Sequence, residues 1–174
     1  MVFSIALLSQ DPLYNKSIGV QANVFLDQNL YTGALIQPVW ALRYSNNLNK
    51  NYSYGPEFSG IKTFYRIDNV RDTRLVHLNM GGFFRYTVLP DKRISPFAEL
   101  SLYYQYIHFV PGSDQVYNNT SEQKTHSFTG YIAPGLSIKS KSRKVSFDLM
   151  YKFSPDYFVN SKRAVFSYRI NLHF

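Results

Sequence analysis

The chain has 174 residues, 17% of them charged and 17% aromatic, with fifteen Tyr, fourteen Phe and a formal net charge of +8. That length suits one domain, and the aromatic load is heavy for a soluble domain of ordinary composition. Cys is absent, which excludes disulfide scaffolds and Cys-ligated metals, and no run approaches the ~18 apolar residues of a membrane helix.

A mean hydropathy of -0.25 sits beside this aromatic richness. Strands that carry apolar residues only at every second position reconcile the two. Residues 1–10 (MVFSIALLSQ) read as the remnant of a secretory signal or as an N-terminal arm, with the domain running over residues 11–174. From there period-2 alternation recurs, without a convincing helical stretch.

In residues 17–26, Ile18, Val20, Ala22 and Val24 oppose Gln21 and Asn23. In residues 33–45, Ile36, Trp40, Leu42 and Tyr44 oppose Gln37 and Arg43. Residues 52–66 set Tyr54, Pro56 and Phe58 against Gly55, Glu57 and Ser59. Residues 74–88 set Val76, Leu78, Met80, Phe84 and Tyr86 against His77, Asn79, Phe83 and Arg85. Residues 94–109 place Ala98, Leu100, Leu102, Tyr104 and Tyr106 opposite Glu99, Ser101, Tyr103 and Gln105. Residues 128–138 place Ile132, Leu136 and Ile138 opposite Thr129, Ala133 and Ser137. In residues 145–153, Val145, Phe147, Leu149, Tyr151 and Phe153 oppose Ser146, Asp148, Met150 and Lys152. The last strand, residues 161–174, is the clearest: Ala164, Phe166, Tyr168, Ile170, Leu172 and Phe174 share one face.

Eight strands result. The links after the second, fourth and sixth are short or turn-rich (residues 46–51, 90–93 and 140–142). Those after the third, fifth and seventh are longer and polar on the whole (67–73, 110–124 and 155–161), and only residues 27–32 make a short link on that side. This alternation predicts an all-β, eight-stranded antiparallel up-and-down transmembrane barrel with short periplasmic turns and longer outer loops. A soluble lipocalin-like barrel shares the alternation but faces its apolar side inward. Three features favour the membrane version. The polar faces are poor in Lys and Glu, Tyr and Phe cluster at Tyr103-Tyr104-Gln105-Tyr106 and Tyr157-Phe158 where interfacial girdles would sit, and the chain ends on Phe174.

The C-terminal pattern Phe166, Tyr168, Ile170, Leu172, Phe174 resembles the signature of outer-membrane proteins read by the barrel assembly machinery. Tyr54-Gly55-Pro56-Glu57-Phe58, Gly81-Gly82-Phe83-Phe84-Arg85-Tyr86, Ser95-Pro96-Phe97-Ala98-Glu99 and Pro134-Gly135-Leu136-Ser137 resemble segments of the small outer-membrane β-barrel (porin-like) family, especially its Bacteroidetes type. The resemblance covers roughly residues 17–174. It implies an outer-membrane barrel in a Gram-negative envelope and is weak for activity, because one scaffold hosts many roles.

If the apolar faces meet lipid, Arg43, Glu57, Arg85, Glu99, Asp148, Lys152 and Arg169 point into a bore wide enough only for side chains. Buried charges persist when paired, so an interior ion-pair network and a plugged barrel are expected. Catalysis finds little footing. His126 and Ser127 are adjacent, so in a strand they face opposite ways. Arg43-Tyr44-Ser45-Asn46-Asn47 resembles the His-x-Ser-Asn motif of lipid A deacylases but has Arg where the catalytic His belongs. His77, His108 and His173 lack metal-ligand spacing, and no pattern asks for a cofactor. No nucleic-acid module accompanies the positive charge. The expected partners are outer-membrane lipid, lipopolysaccharide phosphates met by Lys124, Lys162 and Arg163, the assembly machinery, and other outer-membrane proteins. The expected role is structural or interaction-based, with a lipid A-modifying enzyme and a small-solute channel as rivals from other classes.

Overall fold

Alternating sequence forces each strand to present one face to each of two media, and eight strands curl until the sheet closes on itself. The computed structural model describes residues 14–25, 40–67, 70–110, 122–153 and 164–174. They form β1 (Lys16–Phe25), β2 (Trp40–Asn47), β3 (Tyr52–Ile67), β4 (Val70–Thr87), β5 (Ile94–Val110), β6 (Gln123–Lys139), β7 (Val145–Phe153) and β8 (Ala164–His173). Each strand pairs antiparallel with its neighbours in sequence, and β8 returns to pair with β1, closing the barrel. The seam is completed by Lys16 and Phe174, whose backbones exchange hydrogen bonds of 3.1 and 2.9 Å.

The sequence reading and the structure part mainly at strand ends. β6 begins at Gln123 rather than 128, because pairing with β5 continues out to Phe109↔Gln123. Alternation is weak in residues 123–127, since a strand wetted on both faces needs none. The expected strand residues 33–39, the links 27–32 and 155–161, and Tyr157-Phe158 lie outside the described residues, as do residues 1–10.

Burial is inverted relative to a soluble domain. Among the described residues seven apolar side chains are buried against twenty-one polar or charged ones. The outer surface instead carries Val20, Met80, Leu102 and Ile132, each more than half exposed. Of the aromatic cluster, Tyr104 and Tyr106 face outward as girdle residues would, while Tyr103 points into the bore and is 4% exposed. An odd–even slip of one residue changes the face, and Tyr103 shares the parity of Glu99 and Ser101.

The three links 48–51, 88–93 and 140–144 gather at the end of the barrel that holds Tyr14 and Phe174. Leu89 (φ 52°) and Arg143 (φ 58°) take left-handed backbone there, and both turns close with hydrogen bonds of 3.0 Å (Lys92 N to Leu89 O, Arg143 N to Ser140 O). We call this the turn end and the opposite one the loop end.

Candidate functional site

Register brings three opposite charges side by side on the inner wall: Arg43 beside Glu57, Arg85 beside Glu99, and Asp148 beside Arg169. The first keeps its neighbour as a partner at 3.1 Å and the third, more loosely, at 3.6 Å. Glu99 instead reaches across the bore. Arg43 donates to its two oxygens at 2.8 and 3.0 Å, and Arg169 donates to the same two at 3.1 and 3.0 Å. One carboxylate thus sits between two guanidinium forks, the bidentate geometry for which Arg is suited. Arg85 turns away from Glu99 to Asp148, 2.6 Å away, and Asp148 also accepts from Asn171 at 2.9 Å. Arg169 lies 3.6 Å from Asp148, and Lys152 3.4 Å from Glu57.

The seven charges that the sequence places in the bore therefore form one connected chain: Lys152, Glu57, Arg43, Glu99, Arg169, Asp148, Arg85. Side chains of other types complete it. Tyr103 donates its hydroxyl proton to Glu57 at 2.7 Å, and Gln21 accepts from Arg169 at 2.6 Å. Arg43 stacks over Phe83 at 3.2 Å from the ring centre, and Arg85 over Phe97 at 3.7 Å. Such a stack keeps a guanidinium covered on its face while its edge stays free to donate. Two glycines give the room. A Cβ on Gly19 would come within 2.4 Å of Asn171 Oδ1 and 3.1 Å of the Arg43 and Arg169 stems, and one on Gly135 within 2.4 Å of the Phe97 ring.

Of these helpers, the inward parity of Tyr103, Phe83 and Gln21 was visible in the alternation, but their bonding was not. Gly19 carried no signal and Gly135 only its place in the Pro134-Gly135-Leu136-Ser137 resemblance, since a glycine's role depends on what crosses opposite it.

The other candidates are dispersed. The His126 ring is outside the barrel, 2.5 Å through Nδ1 from the Tyr104 hydroxyl, while Ser127 donates to Gln105 at 3.3 Å on the inner side. Ser45 is buried in the wall beside Arg43, with Asn46 on the next residue facing elsewhere. Among the described residues no group of His, Asp or Glu is arranged to hold a metal ion. Tyr168, Ile170, Leu172 and Phe174 are exposed on the outer face, and Phe166 of the same row is half-buried. At the loop end Lys124 lies 3.3 Å from Glu122, whose other neighbour is His108 Nε2 at 2.7 Å. The hydrogen bond from His108, then those and the charge of Lys124, hold the Glu122 carboxyl below its ordinary value. Lys162 and Arg163 lie outside the described residues.

No family model and no curated protein matches this chain. Solved structures do. The attachment invasion locus protein Ail of Yersinia pestis is 12% identical over 91% of this chain and 95% of its own, with a TM-score of 0.51. Neisserial surface protein A is 10% identical over 92% of this chain and 96% of its own, with a TM-score of 0.55. The N-terminal β-barrel domain of Pseudomonas aeruginosa OprF is 10% identical over 92% and 98%, also with a TM-score of 0.55. Likeness at such identity concerns the fold: this chain has the closed eight-stranded antiparallel barrel of small Gram-negative outer-membrane proteins. The narrower likeness to a Bacteroidetes type finds no support, because neither a family model nor any of these structures carries it.

Proposed function

We propose that this chain is an integral protein of a Gram-negative outer membrane, with a bore closed by its ion network and a structural or surface-binding role rather than a catalytic one. The observation that carries this reading is the inverted burial: apolar side chains ring the outside, and Arg43, Glu57, Glu99, Asp148, Lys152 and Arg169 are each at most 4% exposed inside. In water such an exterior would aggregate, whereas in a bilayer each outward residue contributes by burial in hydrocarbon. The bore of eight strands is filled by side chains, and this one is filled by bonded charges.

Membrane fractionation and gel mobility with and without boiling test the membrane reading. The protein is expected in the outer-membrane fraction, with a boiling-dependent shift, because a closed barrel has no free edge from which to unravel in detergent. Recovery in the soluble fraction without detergent would overturn it. Planar-bilayer recordings test the closed bore: an unmodified baseline is expected, and discrete conductance steps would favour the channel reading.

At the loop end the role rests on contacts with the outer leaflet. Lys124, Lys162 and Arg163 would meet lipopolysaccharide phosphates, a reading supported by their charge and by Ail, which has been seen in complex with the heparin analogue sucrose octasulfate. Neutralising the three should lower the lipopolysaccharide that co-purifies, and unchanged lipid content would count against the contact. Residues 1–10 would be a secretory signal remnant or arm, and the outward row ending at Phe174 would be read by the assembly machinery.

A further inference from the structure

The turn end is not filled like the middle of the bore. A cavity of about 290 Å³ opens there between the turns, Tyr14 and His173, with Arg43, Arg85 and Phe83 of the network at its inner limit. Its wall carries Lys50, Lys139 and Arg143 besides these two arginines, and Asp91 is the one carboxylate among the described residues that line it. Asp91 is shared: Lys50 lies 3.2 Å from it and Arg143 3.6 Å. Arg85 is matched by Asp148 beneath.

No carboxylate of the described residues lies within ion-pair distance of Lys139, and Asp91 and Asp148 act on its charge only from farther away. Its ammonium donates to two neutral oxygens, the carbonyl of Pro90 and, at 3.2 Å, the hydroxyl of Ser95. An ammonium carries three donors, so one remains. The half-buried Lys139 shares the cavity wall with two further cations, Arg85 and Arg143, and with the hydroxyls of Ser137 and Ser146. In the centre of the bore every buried cation has a carboxylate; at the turn end cations outnumber them around a single volume.

We propose that this turn-end cavity binds a phosphate-class oxyanion, held by Lys139 and Arg143 above the ion network. A tetrahedral group offers acceptors in several directions at once, as donors converging from three strands and two turns require, whereas a carboxylate offers two oxygens in one plane. The space equals about ten water volumes at ~30 Å³ each, which fits a diphosphate-sized group better than a bare halide. Converging positive charge inside low-dielectric walls also focuses the field toward the opening, which draws anions in. The ligand chemistry is the same for a soluble phosphate compound and a phospholipid headgroup, and the test separates them.

The folded protein in a non-ionic detergent is titrated with inorganic pyrophosphate at low salt and followed by calorimetry. Separately, micelles are loaded with dihexanoyl phosphatidic acid. Gel mobility without boiling verifies that each variant is folded. Saturable one-to-one binding of pyrophosphate is expected. Lys139→Gln and Arg143→Gln should each weaken it roughly tenfold, the loss of one charge-assisted contact. Arg143→Gln alters an exposed rim residue, so it reads the site even where Lys139→Gln disturbs the turn it caps. Saturation by phosphatidic acid alone, with the same dependence on Lys139 and Arg143, supports the site with a lipid source. Absence of saturation with both probes, or variants that bind as the parent does, overturns the proposal.

Discussion

The centre of the bore and its turn end are built from the same residue types and resolve charge in opposite ways. In the centre, Arg43 and Arg169 both fork onto Glu99, and both guanidinium groups are buried. At the turn end Lys139 rests on neutral oxygens, and the rim ion pairs of Asp91 lie in solvent. The difference follows from desolvation. A charge taken fully out of water must be repaid by an opposite charge and hydrogen bonds, whereas one beside an open cavity keeps part of its hydration and can stay unmatched. Positive charge can therefore accumulate only where the barrel opens.

The comparison is broken most severely at its hinge. Glu99→Ala leaves two buried guanidinium groups short of their shared carboxylate. The expected loss is about 3–5 kcal/mol of folding stability, read by denaturant unfolding in lipid vesicles. A loss below ~1 kcal/mol would mean that Gln21, Glu57 and Asp148 carry Arg43 and Arg169 unaided. Tyr103→Phe removes one charge-assisted hydrogen bond to Glu57 and keeps the ring under Lys152. It should cost about 2 kcal/mol in the same measurement. Asp91→Asn, on the exposed rim, should change stability by less than ~0.5 kcal/mol, since screened surface pairs contribute little. It should also strengthen pyrophosphate binding at the turn end, because it removes the one carboxylate that the described residues place in the cavity wall. Comparable losses for Asp91 and Glu99 would erase the distinction between the two regions.

The smallest effect belongs to the loop end. Glu122 is held below its ordinary value by His108 and Lys124, so its favourable contribution is present above the unfolded carboxylate range and fades as pH falls through the lower folded value. The group is exposed, so the shift is local. Titration of the Glu122 side-chain carbon by NMR should give a depressed midpoint that returns toward the ordinary one in His108→Ala.

Much of this was legible in the residues one by one. The parity of Arg43, Glu57, Arg85, Glu99, Asp148, Lys152 and Arg169 follows from alternation alone, because a strand's side chains change face with strict period 2. The short turns at 48–51, 88–93 and 140–144 were near the residues that turn chemistry marks, Pro90-Asp91 among them. Strand ends were less legible. Gln123 to Ser127 lies in β6 through pairing with β5, which is a property of the partner.

The sequence by itself determined the number of strands and which side chains share a face, since both depend on local periodicity. Only the tertiary structure decided who pairs with whom. Arg85 stands beside Glu99 in register yet bonds Asp148 on β7, and Glu99 bonds Arg43 and Arg169 on β2 and β8. Once the sheet closes, long side chains meet across the bore, and partners are set by the barrel's curvature and stagger rather than by spacing along the chain. The same closure brings Lys139, Arg143, Arg85 and Lys50 around one cavity from segments that no local pattern connects.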